Sequence, residues 1–127
     1  MSNLKVLIVE DEPFDGEVLG SLVSDLQIDY EVVTNGDDVI NMLNDMTDVG
    51  ILFLDLDLPG ANGYEVFEAI RADSRYQHLP IVAYSSHSNE MNTAYQMGFN
   101  GFLAKPVDSN MFAENLGRLL NGDSVWE

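Results

Sequence analysis

The chain has 127 residues, 46% of them hydrophobic and 21% charged, which supplies one folded core and leaves no length for a second. Its 22 Asp and Glu outnumber 5 Lys and Arg, and a formal net charge of -17 speaks against binding a phosphate backbone or an anionic membrane. The absence of cysteine removes disulfides, thiolate nucleophiles and Cys-ligated zinc, leaving carboxylates as the obvious reactive groups.

The first apolar run, 5–9, reads as a strand and is too short to cross a membrane or to serve as a secretory leader. A cytoplasmic protein is the expectation. The run ends in Glu10, Asp11 and Glu12, and Glu12-Pro13 has the form of a helix entry. Val18, Leu19, Leu22, Val23 and Leu26 then share one helical stripe. A second strand is expected over 30–34, followed by the stripe Val39, Ile40 and Leu43. The third strand, 51–54, runs into Asp55 and Asp57, and Val66, Phe67 and Ile70 form the next stripe. The fourth strand, 81–84, leads to Ser85 and Ser86. Segment 89–97 offers only Met91, Ala94, Tyr95 and Met97 among polar residues, a marginal helix. The fifth strand, 101–104, meets Lys105 and Pro106, and Met111, Phe112, Leu116, Leu119 and Leu120 mark a firmer last helix.

Strands of near-continuous apolar character alternating with helices predict an α/β domain with a parallel sheet buried on both faces. It spans 1–127, with a core of about 4–121 and a short tail at 122–127. Asn-Gly pairs at Asn35, Asn62, Asn100 and Asn121 have helical flanks, so they read as helix starts and loops rather than hairpins. Trp126, the lone tryptophan, reads as a packing or fraying residue.

Ligands of open α/β sheets sit beyond the carboxyl ends of the strands, and those ends converge here on a coherent set. Glu10, Asp11 and Asp55 offer the hard oxygens that suit Mg²⁺, with Mn²⁺ as the alternative ion. Two carboxylates about 4 Å apart repel by roughly 4 kcal/mol at an effective dielectric near 20, so a cation should stabilise the fold. Each residue also has a plainer reading. Glu12 is a helix cap, Ser85 a strand-end hydroxyl that caps the next turn, Lys105 a solvated charge, and His78 and His87 loop residues. The four strand ends considered together favour function for Asp11 and Asp55.

The motifs Val6-Leu7-Ile8-Val9-Glu10-Asp11-Glu12-Pro13, Leu54-Asp55-Leu56-Asp57-Leu58-Pro59-Gly60 with Asn62-Gly63, Pro80-Ile81-Val82-Ala83-Tyr84-Ser85, and Gly98 leading to Phe102-Leu103-Ala104-Lys105-Pro106 carry a resemblance. The chain resembles the receiver domain of two-component response regulators, the chemotaxis regulators among them, over nearly its whole length. That resemblance implies a doubly wound, flavodoxin-like sheet of five parallel strands in the order 2-1-3-4-5 with five helices. It implies a phosphoacceptor at Asp55, Mg²⁺ held by Asp11, Asp55 and the backbone carbonyl of Asp57, and Glu10 assisting through water. Ser85 and Lys105 would contact the phosphoryl oxygens, Phe102 would be the switch aromatic, and the bond before Pro106 would be cis. The phosphodonor would be a sensor histidine kinase or a histidine phosphotransfer protein. The output would be docking of an unknown protein on the fourth helix, fifth strand and last helix, making the chain a signalling domain rather than a general enzyme. Asp57 and His87 lie where water approaches the phosphoryl group and are expected to tune its lifetime.

Three rival readings share some of these features. Haloacid dehalogenase-like phosphatases also carry an Asp55-x-Asp57 pair after a strand, but Pro59 stands at their Thr place and the pair falls on the third strand. An EF-hand loop fails at Pro59 and Val66. A phosphorylation-independent interaction module would be marked by loss of an acid or the lysine, and all are present.

Overall fold

The computed structural model describes residues 4–58 and 62–127. Pro59 and Gly60, part of the third-strand motif, lie outside the described residues. Among the rest, β1 (Lys5–Val9), β2 (Asp29–Val33), β3 (Val49–Asp55), β4 (Ile81–Ser85), β5 (Gly101–Ala104) and β6 (Val125–Trp126) form one sheet. The order is β2-β1-β3-β4-β5-β6, parallel throughout. Five α-helices connect them: α1 (Pro13–Asp25), α2 (Val39–Asp45), α3 (Gly63–Ala72), α4 (Met91–Met97) and α5 (Phe112–Leu120).

The alternating strand residues explain why the sheet is covered on both sides. Leu7, Val9, Leu52, Leu54, Ile81, Ala83 and Phe102 pack with Val39 and Leu43 of α2, Val66, Phe67 and Ile70 of α3, and Ala94 of α4. On the opposite face Val6, Ile8, Ile51, Phe53, Val82 and Tyr84 meet Leu19 and Val23 of α1 and Phe112, Leu116 and Leu119 of α5. Burial of these two layers is the main stabilising term.

Three features depart from the sequence reading. The sheet has a sixth strand, where five were expected. Val125 and Trp126 pair with Gly101 and Phe102, and two residues are too few to show a period. β2 is largely exposed, because it is an edge strand with a neighbour on one side only. β3 is longer than its apolar run and takes in Asp55, whose backbone pairs with Tyr84.

The Asn-Gly positions behave as helix starts and loops. Asn62 caps α3 in a capping box with Glu65. Behind it, a Cβ on Gly63 would lie 2.6 Å from Leu56 Cα and 2.7 Å from the Asp55 carbonyl oxygen, so only glycine lets α3 start against the end of β3. Gly98 closes α4 in the left-handed conformation, with φ of 99°.

Candidate functional site

The sheet order reverses direction beside β1, so the carboxyl ends of β1, β3, β4 and β5 open on one cleft. Glu10 follows β1, its N–H donating to the Val33 carbonyl at 2.9 Å, and it is 1% exposed. Asp55 ends β3 at 2% exposure, and its Oδ1 accepts from the Asp57 N–H at 2.9 Å. Asp11 lies exposed at the mouth. Carboxylate oxygens of Glu10, Asp11 and Asp55 lie within 4.8 Å of one another. Glu12 is the cap of α1, accepting from the Phe14 and Asp15 N–H groups, as its Glu-Pro sequence suggested.

Lys105 enters this cluster from the end of β5, where its N–H donates to the Ser85 carbonyl at 2.9 Å and the Lys105–Pro106 peptide is cis. Its ammonium lies 2.7 Å from Glu10 Oε1, 3.1 Å from Asp15 Oδ2 and 3.5 Å from Asp55 Oδ2. The same nitrogen sits 4.6 Å from the centre of the Tyr84 ring. Lys105 is therefore a half-buried charge answering three acids, which the solvated-charge reading does not describe.

Burial, reinforced by the neighbouring Asp55 carboxyl, pushes the Glu10 acid up to about 7 despite the lysine. Burial opposes the Lys105 charge, yet its hydrogen bond to Glu10 and the charges of Asp55 and Glu10 outweigh it and raise its pKa. Burial also raises Tyr84, with Lys105 working against the shift. One ammonium thus leaves the acids incompletely neutralised. The donor set of two buried carboxylates and one exposed carboxylate suits a hard divalent cation.

A second group surrounds the end of β4. Ser85 is fully buried, and its Oγ accepts from the His87 N–H at 2.9 Å, so it does cap the following turn. Ser85 Oγ also donates toward Glu90 Oε2 at 2.8 Å and Asp57 Oδ2 at 3.3 Å. His87 Nδ1 stands 3.2 Å from Asp57 Oδ2. Tyr64 Oη donates to Glu90 Oε1 at 3.2 Å, and burial together with Glu90 pushes the phenol up to about 12.

The structure thus brings Glu10, Asp11, Asp55 and Lys105 together on one side of the cleft, with Asp57, Ser85 and His87 on the other. Phe102 stands apart, fully buried in β5. His78 touches neither group. Sequence reasoning passed over Asp15, which falls in the first turn of α1 and reads there as an ordinary helix-start acid. It also passed over Tyr64 and Glu90. Glu90 meets Ser85 five residues away across the turn, and Tyr64 reaches Glu90 across 26 residues, which no local pattern marks.

Fold and cleft together define the class: a flavodoxin-like domain with a buried acid pair and one answering lysine at the switch point of its sheet. The chain belongs to the response regulator receiver domain family, whose model matches residues 6–116. Chemotaxis protein CheV2 of Helicobacter pylori is 32% identical over 105 residues, which cover 79% of this chain and 34% of that one. Chemotaxis protein CheY of Pseudomonas aeruginosa is 27% identical over 119 residues, covering 91% of this chain and 95% of its own. Among solved structures, the bacteriophytochrome response regulator AtBRR superposes with a TM-score of 0.78 at 28% identity, covering 91% of each chain. The chain is a receiver domain of two-component signalling, and the phosphatase and interaction-module readings are not favoured. No helix among the described residues is long and apolar enough to cross a membrane.

Proposed function

We propose that this receiver works as a cytoplasmic switch that accepts a phosphoryl group on Asp55. The observation that carries the reading is the position of Lys105 Nζ, 3.5 Å from Asp55 Oδ2, although the two residues are 50 apart in sequence and follow strands that β4 separates in the sheet. A carboxylate oxygen of Asp55 attacks phosphorus in line while the bond from phosphorus to the imidazole nitrogen of a phosphohistidine breaks. The imidazole leaves with the electron pair, takes a proton, and belongs to a sensor histidine kinase or phosphotransfer partner. Water later attacks the acyl phosphate, releasing inorganic phosphate and restoring Asp55. Both steps are the chain's own chemistry.

Glu10, Asp11 and Asp55, with the backbone carbonyl of Asp57, are the groups that would hold Mg²⁺ or Mn²⁺, Glu10 through water. Bound there, the ion supplies charge neutralisation at the phosphoryl oxygens. Lys105 and the Ser85 hydroxyl supply the remaining donors to those oxygens. Asp57 and His87 flank the approach of water and set the lifetime of the acyl phosphate. Phe102 responds to the movement of Ser85, and the α4–β5–α5 surface docks the protein target.

The test is incubation with Mg²⁺ and acetyl phosphate, followed by borohydride reduction and mass spectrometry. The expected result is one adduct, on Asp55, absent from Asp55→Asn. Turnover of many phosphate esters without a lasting adduct would instead indicate a phosphatase.

A further inference from the structure

Ser85 has one hydroxyl proton, and a hydroxyl can donate to one strong acceptor at a time. The acceptor nearest it is Glu90 Oε2 at 2.8 Å, with Asp57 Oδ2 a longer alternative at 3.3 Å. The Ser85 oxygen is fixed from the other side by the His87 N–H. Before Ser85 can donate to a phosphoryl oxygen on Asp55, its contact with Glu90 must break. Glu90 is itself anchored, since its other oxygen accepts from Tyr64 Oη at 3.2 Å.

Glu90 also immediately precedes α4, and it makes no capping hydrogen bond to that helix. Ala94 is the one α4 residue that is fully buried, and Met91 and Met97 pack against the core only in part. A side chain that joins the end of β4 to the start of such a helix connects the site to its surface. We infer that Glu90 is a positioning residue that latches the Ser85 hydroxyl away from Asp55 in the unphosphorylated chain, and that releasing it loosens the start of α4. This rests on Asp55 as phosphoacceptor. Glu90 touches neither the transferred group nor the attacking oxygen; it acts through Ser85.

A simpler role for Glu90 would be repulsion of an anionic phosphodonor, and two substitutions separate the two. Glu90→Gln keeps a carbonyl oxygen that accepts from Ser85 but loses the charge, whereas Glu90→Ala loses both. A hydrogen bond to a charged group that must break before reaction slows the step by about tenfold. With Asp57 able to take part of the load, Glu90→Ala should be phosphorylated by acetyl phosphate about fivefold faster than the parent, and Glu90→Gln, which keeps the weaker neutral acceptor, should fall between the two. Equal acceleration in both variants would show charge repulsion and overturn the latch. In a Ser85→Ala background the Ala effect should vanish, and its persistence would also overturn the latch.

Hydrogen exchange reads the same contact without phosphate. Amides 91–94 should exchange several-fold faster in Glu90→Ala than in Glu90→Gln or the parent. Unchanged exchange in all three would remove the link to α4. Failure of the parent to form an Asp55 adduct would overturn the phosphoacceptor reading, whereas a parent that reacts normally beside an unaccelerated Glu90→Ala would overturn only the latch.

Discussion

Lys105 Nζ lies closer to Glu10 Oε1, at 2.7 Å, than to Asp55 Oδ2, at 3.5 Å. The ammonium therefore serves as the internal counter-ion of the acid pair in the resting chain. Removing it strands two buried carboxyls, and breaking a buried ion pair costs about 3 kcal/mol. Lys105→Met should lower stability by that order in urea unfolding at pH 7 without divalent ions. Part of the loss should return on adding Mg²⁺. An unchanged midpoint would reduce Lys105 to an ordinary surface charge.

Mg²⁺ itself should stabilise the parent protein, because it binds the folded acid cluster and has no comparable site in the unfolded chain. At a concentration one hundred times its dissociation constant the gain is about 2.7 kcal/mol, or roughly 10 °C in the unfolding midpoint for a chain of this size. Asp11→Asn should weaken that response by about tenfold in Mg²⁺ concentration. It should leave metal-free stability unchanged or slightly raised, since Asp11 is exposed and its loss takes a like charge away from Glu10 and Asp55. Calorimetry across a Mg²⁺ titration of both proteins measures each outcome. No response in the parent would show that the acids do not form a site.

The cleft was legible in the sequence because each contributing residue ends an apolar strand. Topology then does the rest: parallel strands must send their carboxyl ends to one edge. Helices α1, α3 and α5 announced themselves through stripes such as Val66, Phe67 and Ile70, which pack as the period requires. Asp15 and Glu90 were hidden for the opposite reason. An acid near a helix start is common whether or not a lysine 90 residues away reaches it. β6 was hidden because two residues carry no periodicity, and its strand character comes wholly from pairing with β5. The departure of β2 from a buried pattern follows from its edge position, which sequence order alone does not state.

The solvent-facing pair Asp73 and Arg75 gives an acid-range marker remote from the cleft. Hydrogen bonds from the Arg75 side chain and backbone hold the Asp73 carboxyl down at about 2, from an ordinary 3.8. A depressed folded-state pKa means stability that is present above the unfolded value and lost as pH falls through the folded one. The contribution should therefore be complete above about pH 5 and gone below about pH 1. Carbon-detected NMR titration should show the depressed midpoint in the parent and a return toward about 3.9 in Arg75→Gln. At neutral pH, 1 M salt should shrink the difference in stability between the two proteins. Identical midpoints would dissolve the pair.

β6 lies against β5, the strand that carries Phe102 and leads into Lys105. Val125 is buried, the Glu127 N–H donates to the Phe102 carbonyl at 2.9 Å, and Asn115 Nδ2 donates to Glu127 Oε1 at 3.2 Å. The Trp126 ring meets Tyr95 of α4 edge-on, with centroids 5.2 Å apart. This aromatic contact joins β6 to the same helix whose start Glu90 tethers. Trp126→Ala removes the ring and should cost about 1.5 kcal/mol in urea unfolding. The Glu127 amide should lose protection from hydrogen exchange before β5 does, because a two-residue strand opens without the rest of the sheet. With one tryptophan in the chain, emission reports this contact alone. Tyr95→Ala should shift Trp126 emission to the red while leaving the β1–β3 core intact, and an unshifted spectrum would show that the ring is held by something other than α4.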